Sequence, residues 1–131
     1  MSEPKPVVAS SDPLARAWWA GVAEGRIGYQ RCEACAAAQF YPRERCAACG
    51  SARLAIATSV GTGTIFSITV VHRPPSPALQ AFAPYGIALV DLDEGVRLMA
   101  HADPGLAIGD RVRATFALFG DRTTPKFVRA G

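Results

Sequence analysis

The chain has 131 residues, half of them apolar and 19% charged, which is the size and composition of one compact unit with a real core and not of a disordered chain. Its formal charge of +3 is too small to mark a strongly basic nucleic-acid binder, and no run approaches the ~18 apolar residues that span a bilayer. The opening MSEPKPVVAS lacks the positive start, apolar block and small-residue cleavage site of a secretory signal, so a cytoplasmic protein with reduced thiols is expected.

Residues 1–10 carry two prolines and two serines without apolar periodicity and are expected to form a loose tail. A helix is expected over 11–26. Asp12 can cap free backbone amides, Pro13 suits a first helical turn, and Gly25 stops the run. Leu14, Trp18 and Val22 recur every four residues on one face, with Trp19 at its edge. Two adjacent tryptophans exceed what so short a helix needs to sit on its own domain. They read either as packing on the next segment or as a contact surface.

Residues 27–57 are expected to be a zinc ribbon. Ile27 and Tyr29 alternate into Cys32, and the chain's four cysteines, Cys32, Cys35, Cys46 and Cys49, form two C-x2-C pairs ten residues apart. Each pair can aim two sulfurs at one point, and two facing pairs complete a tetrahedral cage that suits zinc, with iron as the lesser alternative. Bridging Cys32 to Cys35 would close a strained loop, a redox motif needs one pair, and unrelated thiols would not repeat a spacing. A four-sulfur cage has no open position, so one structural zinc is expected and no catalytic metal. Four thiolates around a divalent cation carry a net −2, which lowers the formal +3 to +1 and which Arg31, Arg43, Arg45 and Arg53 are placed to offset. Gly50 follows the second pair, where a residue tolerant of positive φ is useful; Ala36 occupies the matching position after the first.

Residues 58–131 read as a barrel. From Val60 the pattern has period two, with Phe66, Ile68 and Val70 on one face and Ile65, Ser67, Thr69 and Val71 on the other, opened by Gly61 and Gly63. Pro74, Pro75, Pro77 and Pro84 make 74–84 a loop. A strand from Tyr85 to Leu92, a turn at Asp93-Glu94-Gly95 and a strand from Val96 to His101 form a hairpin. After corners at Asp103-Pro104-Gly105 and Gly109-Asp110, Val112, Ala114, Phe116 and Leu118 alternate with Arg111, Arg113 and Thr115. A loop from Gly120 to Pro125 then leads to a last strand at Lys126 to Arg129. The fold class is therefore mainly β: an N-terminal helix, a rubredoxin-like zinc ribbon and a five-stranded barrel of OB type, with a small open sandwich as the alternative. No internal repeat is apparent.

No catalytic residue is expected. His72 and His101 are the only histidines, and neither has a neighbouring carboxylate partner or glycine-flanked nucleophile. Asp91, Asp93 and Glu94 cluster at the hairpin turn, where acids are ordinarily solvated. No glycine-rich phosphate loop or dinucleotide fingerprint occurs. The residues alone describe a binding or scaffold module.

The run AWWAGVAEGRIGYQRCEACAAAQFYPRERCAACG, followed by GTGTIFSITVVHRPP, YGIALVDLDEGVRLMAHA and IGDRV, resembles the zinc-ribbon/OB-fold acyl-CoA-associated proteins, a domain-of-unknown-function family. The likeness covers nearly the whole chain after residue 13 and keeps the family's motif order. It implies a non-catalytic accessory subunit that binds acyl-CoA and scaffolds a thiolase-like or related acyl-CoA enzyme in a hetero-oligomer. It carries the metal ligands onto Cys32, Cys35, Cys46 and Cys49. Arg43, Arg45, Arg53, His72 and Arg73 become candidate CoA contacts, since guanidinium groups bind phosphates through planar paired hydrogen bonds. Trp18, Trp19, Phe40 and Tyr41 become candidate partner contacts. Ala36 departs from the glycine usual in the family, which bears on the first knuckle's turn and not on its ligands. The alternative is a single-stranded nucleic-acid-binding protein, also built from OB barrels and zinc ribbons, but it needs exposed barrel aromatics in a basic groove. Phe66, Tyr85 and Phe116 read as core or mixed.

Overall fold

A computed structural model describes residues 12–130, so the expected tail at 1–10 lies outside the described residues. Helix α1 (Pro13–Ala23) starts where Asp12 accepts a hydrogen bond from the Leu14 amide at 3.0 Å. It ends at Ala23, two residues before Gly25, which has φ +84°. Strands β1 (Gly28–Cys32), β2 (Ala38–Gln39) and β3 (Leu54–Thr58) form an antiparallel sheet in the order β2-β1-β3. Strand β3 had left no separate signal in the sequence. The remaining strands, β4 (Thr62–Val71), β5 (Tyr85–Leu92), β6 (Arg97–Ala102), β7 (Arg111–Phe119) and β8 (Arg122–Arg129), close a barrel in the order β4-β5-β6-β8-β7. All of its pairings are antiparallel except β6 with β8. This is the five-stranded closure expected of an OB barrel.

One core joins ribbon to barrel. Ile27 and Tyr29 lie in the same buried cluster as Ile65, Val90, Leu98, Val112 and Phe127, and Trp18 and Phe40 pack against it. Two barrel glycines mark close backbone approach. A Cβ at Gly63 would stand 2.4 Å from the Asp91 carbonyl oxygen, and one at Gly86 would stand 2.5 Å from that of Ala102.

Four expectations for the barrel need correction. The period-two reading of β4 fails at Phe66, because the register steps from Ile65↔Val90 to Ser67↔Leu89 and leaves Phe66 as the extra residue of a bulge. Ile65 and Ile68 therefore both turn to the core, while Phe66 is 47% exposed under the Arg97 guanidinium, 3.5 Å from its ring centre. The proline loop is not wholly irregular: Pro77–Phe82 form a 3-10 turn capped by Ser76. The last strand begins at Arg122 and not at Lys126, with Pro125 inside it opposite Phe116. Strand β8 meets β6 only at Lys126 and Phe127, so the missing N–H of Pro125 costs no pairing on that side.

The fourth correction concerns the acids at the hairpin turn, which are engaged and not merely solvated. Asp93 accepts two hydrogen bonds from Arg111 at 2.8 Å and one from the Thr62 hydroxyl at 2.6 Å. Glu94 accepts from the Ser59 hydroxyl at 2.7 Å and from the Val60 amide at 2.8 Å, pinning the ribbon-to-barrel link to the β5–β6 turn. Turn acids bond like this when flanking strands bring donors to them, which no local pattern reveals. The Arg111 hydrogen bonds, then that of Thr62, hold the Asp93 carboxyl well below the usual carboxylate range. A depressed carboxyl contributes stability above its unfolded-state value and loses it as pH falls toward the folded-state value. Asp93→Asn should therefore melt below wild type by a constant margin from about pH 7 to about pH 5, with the margin narrowing below about pH 4. Thermal melts of both proteins across that range check it, and a margin unchanged under acid conditions contradicts it.

Candidate functional site

The four sulfurs converge. All lie within 4.8 Å of one another, and the cross-knuckle pairs Cys32–Cys49 and Cys35–Cys46 are 3.6 Å apart. A tetrahedron with zinc–sulfur bonds of about 2.3 Å has edges of about 3.8 Å, so the donor set fits zinc.

The two knuckles repeat one another bond for bond, in keeping with their shared C-x2-C spacing and the matched positions of Ala36 and Gly50. Cys32 O accepts from Ala36 N and Cys46 O from Gly50 N, both at 2.8 Å. Cys32 Sγ accepts from Ala34 N and Cys46 Sγ from Ala48 N, both at 3.4 Å. Each knuckle ends in a left-handed residue, Gly50 at φ +80° and Ala36 at φ +66°. Ala36 thus makes the turn without glycine, at the modest steric cost of a Cβ in that region. Arg31 and Arg45, each one residue before its knuckle, donate to the carbonyls of Ala36 and Gly50 at 2.8 and 3.2 Å.

The segment between the knuckles is fastened by a glutamine pair that sequence reasoning missed. Gln30, 3% exposed, sits opposite Gln39 across β1 and β2. Its side chain donates to the Arg43 carbonyl and accepts from the Arg43 amide and from Gln39 Nε2, at 2.7–2.9 Å. Gln39 Oε1 then accepts from the Ala47 amide at 2.9 Å. Buried side-chain amides of this kind are satisfied by a partner segment, so no periodicity announces them.

The amides of Cys49 and Ala48 pull the Cys46 thiol down to about 7, and the Cys35 amide leads in lowering Cys32. Cys35 goes the other way. The Ala37 amide draws it down, but its bond to Cys46, burial and the other two sulfurs outweigh that and push it up to about 12. Such a cluster cannot carry four negative charges unaided. It wants a cation, and with all four positions filled by protein the cation is structural.

Beside the ribbon lies a groove of about 570 Å³ between the outer face of β5–β6, helix α1 and the segment Phe40–Pro42. The four candidate partner contacts meet along it. Ring centres are 4.8 Å apart for Trp19 and Trp18, 5.3 Å for Trp18 and Phe40, and 5.5 Å for Phe40 and Tyr41. Trp18 Nε1 donates to the Gly28 carbonyl at 2.9 Å, which fixes the helix on β1, and Arg122 lies over Trp19 at 4.4 Å. The candidate CoA contacts do not gather there. Arg43, Arg45 and Arg53 are exposed on the ribbon, Arg53 paired with Glu33 at 3.7 Å, while His72 and Arg73 are exposed just beyond β4.

His101 and Arg97 do line the groove, a role that no local pattern around them signals. His101 stacks on Phe119 at 3.9 Å and meets the edge of Tyr85 at 5.5 Å. Burial lowers its pKa against the Gly86 backbone, which raises it, and the charge of Lys126 adds to the lowering; among the described residues its buried Nδ1 has no hydrogen-bond partner.

A closed four-sulfur ribbon sharing its core with an OB barrel defines a class of two-part, metal-stapled β module. Residues 19–55 match the family described as ChsH2, rubredoxin-like zinc ribbon domain, and residues 58–117 that described as ChsH2, C-terminal OB-fold domain. A solved Ltp2-ChsH2(DUF35) aldolase chain is 30% identical with a TM-score of 0.81, covering 97% of this chain and 100% of its own. This chain belongs to the ChsH2-type DUF35 family. A DUF35 protein of unknown function from Sulfolobus solfataricus shares the fold, with a TM-score of 0.62 at 15% identity over 90% of this chain and 86% of its own.

Curated relatives are longer. A probable enoyl-CoA hydratase alpha subunit from Thermomonospora curvata is 35% identical over 75% of this chain, which spans 29% of it. The 3-oxo-4,17-pregnadiene-20-carboxyl-CoA hydratase alpha subunit of Mycobacterium tuberculosis is 48% identical over 48% of this chain and 21% of its own length. A DUF35 domain-containing scaffold protein from Pyrococcus furiosus is 36% identical over 47% of this chain and 45% of its own. Among the described residues, no helix is long and apolar enough to cross a membrane.

The purified protein should hold one zinc per chain, and Cys46→Ser should lose the metal and the ribbon's protease resistance together. Elemental analysis with limited proteolysis checks this. A chelated, reduced protein whose ribbon resists protease unchanged contradicts it.

Proposed function

We propose that the chain is a non-catalytic accessory subunit, working in the cytoplasm, that binds acyl-CoA and scaffolds a thiolase-like or related acyl-CoA-processing enzyme in a hetero-oligomer. The observation that carries this reading is the unbroken line of Trp19, Trp18, Phe40 and Tyr41, contributed by two separate elements and flanking one groove. Tyr41 is 62% exposed at its end. Large, stiff aromatic side chains with a polar edge are the usual anchors of protein interfaces. The relatives support the same reading: two are alpha subunits of CoA-ester hydratases, one is a scaffold protein and one is an Ltp2-ChsH2(DUF35) aldolase.

Within this reading Arg43, Arg45 and Arg53 on the ribbon, with His72 and Arg73 beyond β4, are the candidates for the CoA phosphates. The aromatic line is the candidate for the partner. The closed cage gives the metal the task of holding Phe40 and Tyr41 in place, and the chemistry falls to the partner.

Affinity capture of the zinc-loaded protein from its native host should bring down an acyl-CoA-processing enzyme. Trp19→Ala should weaken that complex about thirtyfold, or ~2 kcal/mol, with zinc content and melting temperature kept. Capture of single-stranded nucleic acid in place of an enzyme, or normal partner affinity in the folded Trp19→Ala protein, would overturn the proposal.

A further inference from the structure

We infer that the groove over β5–β6 is the seat of the apolar acyl group of a thioester. This rests on the accessory-subunit reading and names which part of the ligand the site takes. Strands β5 and β6 are the second and third of the barrel, the face on which OB folds present their ligand surface between the first and fourth loops. Here α1 and the Phe40–Pro42 segment cross that face and turn it into a walled groove. Its volume of about 570 Å³ falls within the ~300–1,000 Å³ of small-molecule sites.

The lining decides what fits. Ile87, Leu89 and Met99 form the floor, with Met99 68% exposed, and among the described residues no carboxylate lines the groove. Arg97, the one arginine among the described lining residues, is held by both carboxylate oxygens of Asp91 at 2.6 and 3.2 Å and lies over Phe66. Its charge is thereby matched, so the groove offers little to a phosphate and much to a hydrocarbon. The nucleotide end of a CoA ester belongs elsewhere.

A second, narrower cleft adjoins the groove. His101 and Thr124 line the groove and at the same time line this cleft of about 120 Å³, bounded by Phe82, Tyr85, Phe119 and Lys126, between the proline loop and the β7–β8 turn. A wide apolar groove beside a narrow cleft, with His101 and Thr124 on the wall common to both, suits a bulky acyl group with a slender arm leaving it.

Calorimetry and tryptophan fluorescence on the full, zinc-loaded chain test this with CoA, acetyl-CoA and octanoyl-CoA as probes. Octanoyl-CoA, six methylenes longer, should bind on the order of a hundredfold tighter than acetyl-CoA and quench tryptophan emission, the equivalent of about three to four fully buried methylenes at about fourfold each. Ala15→Trp, which fills the groove from the helix, and Met99→Glu, which sets a carboxylate on its exposed floor, should each abolish the octanoyl advantage. Zinc content should be kept in both. Equal affinities for the three probes, no binding of any, or an octanoyl advantage that survives both substitutions would overturn the inference. Loss of the advantage alone, with capture of an acyl-CoA enzyme intact, removes this inference and leaves the accessory-subunit reading standing; loss of both removes that reading as well.

Discussion

The structure depends on four sulfurs held within 4.8 Å of one another by two copies of the same six-residue turn. Thiolates so close repel, so the four cannot all ionise without a cation, and the Cys46 thiol is drawn down while the Cys35 thiol is pushed up. A divalent cation would turn this liability into an attraction that ties the two knuckles together. The part of the ribbon that carries the knuckles has little else to hold it: β2 has two residues, and Tyr41, Cys35 and Cys49 are exposed. Gln30 and Gln39 then pass the order of the knuckles to the intervening segment, and so to Phe40 and Tyr41.

The ribbon is attached to the barrel by more than a link. Ile27 and Tyr29 enter the common core, and Ser59 is clasped by Glu94 from the β5–β6 turn. Those two attachments set the ribbon over the face of β5–β6, where an OB barrel otherwise stays open. The groove is thus a product of three elements that no single one contains. Its aromatic wall comes from the helix and ribbon and its aliphatic floor from the barrel.

Much of this was legible in the sequence because its signals are local. Two C-x2-C pairs state the cage, Asp12-Pro13 and Gly25 bound the helix, and alternation with glycine corners gives the barrel. What stayed hidden depends on contacts between distant segments. The bulge at Phe66 breaks the period of β4 without a glycine or proline to mark it. Asp93 and Glu94 read as solvated because their donors, Arg111 and Ser59, are 18 and 35 residues away in sequence. Pro125 hid the start of β8, since a proline reads as a loop unless the pairing on its free side is known. Gln30 was silent for the same reason. At the candidate site the four aromatic residues were named and the structure gathers them. His101 and Arg97 were not placed in the groove, because only the closure of β5 on β6 turns them to that face.

Hydrogen exchange of the zinc-loaded protein before and after chelation, with the thiols kept reduced, tests most directly whether the cage holds the aromatic wall of the groove. The account predicts that the amides of Ala36, Gly50, Arg43 and Ala47 lose protection together, while those of β4 to β8 keep theirs, because the barrel's hydrogen bonds do not pass through the metal. Ribbon amides that stay protected without metal would contradict it, as would a barrel that loses protection in step with them.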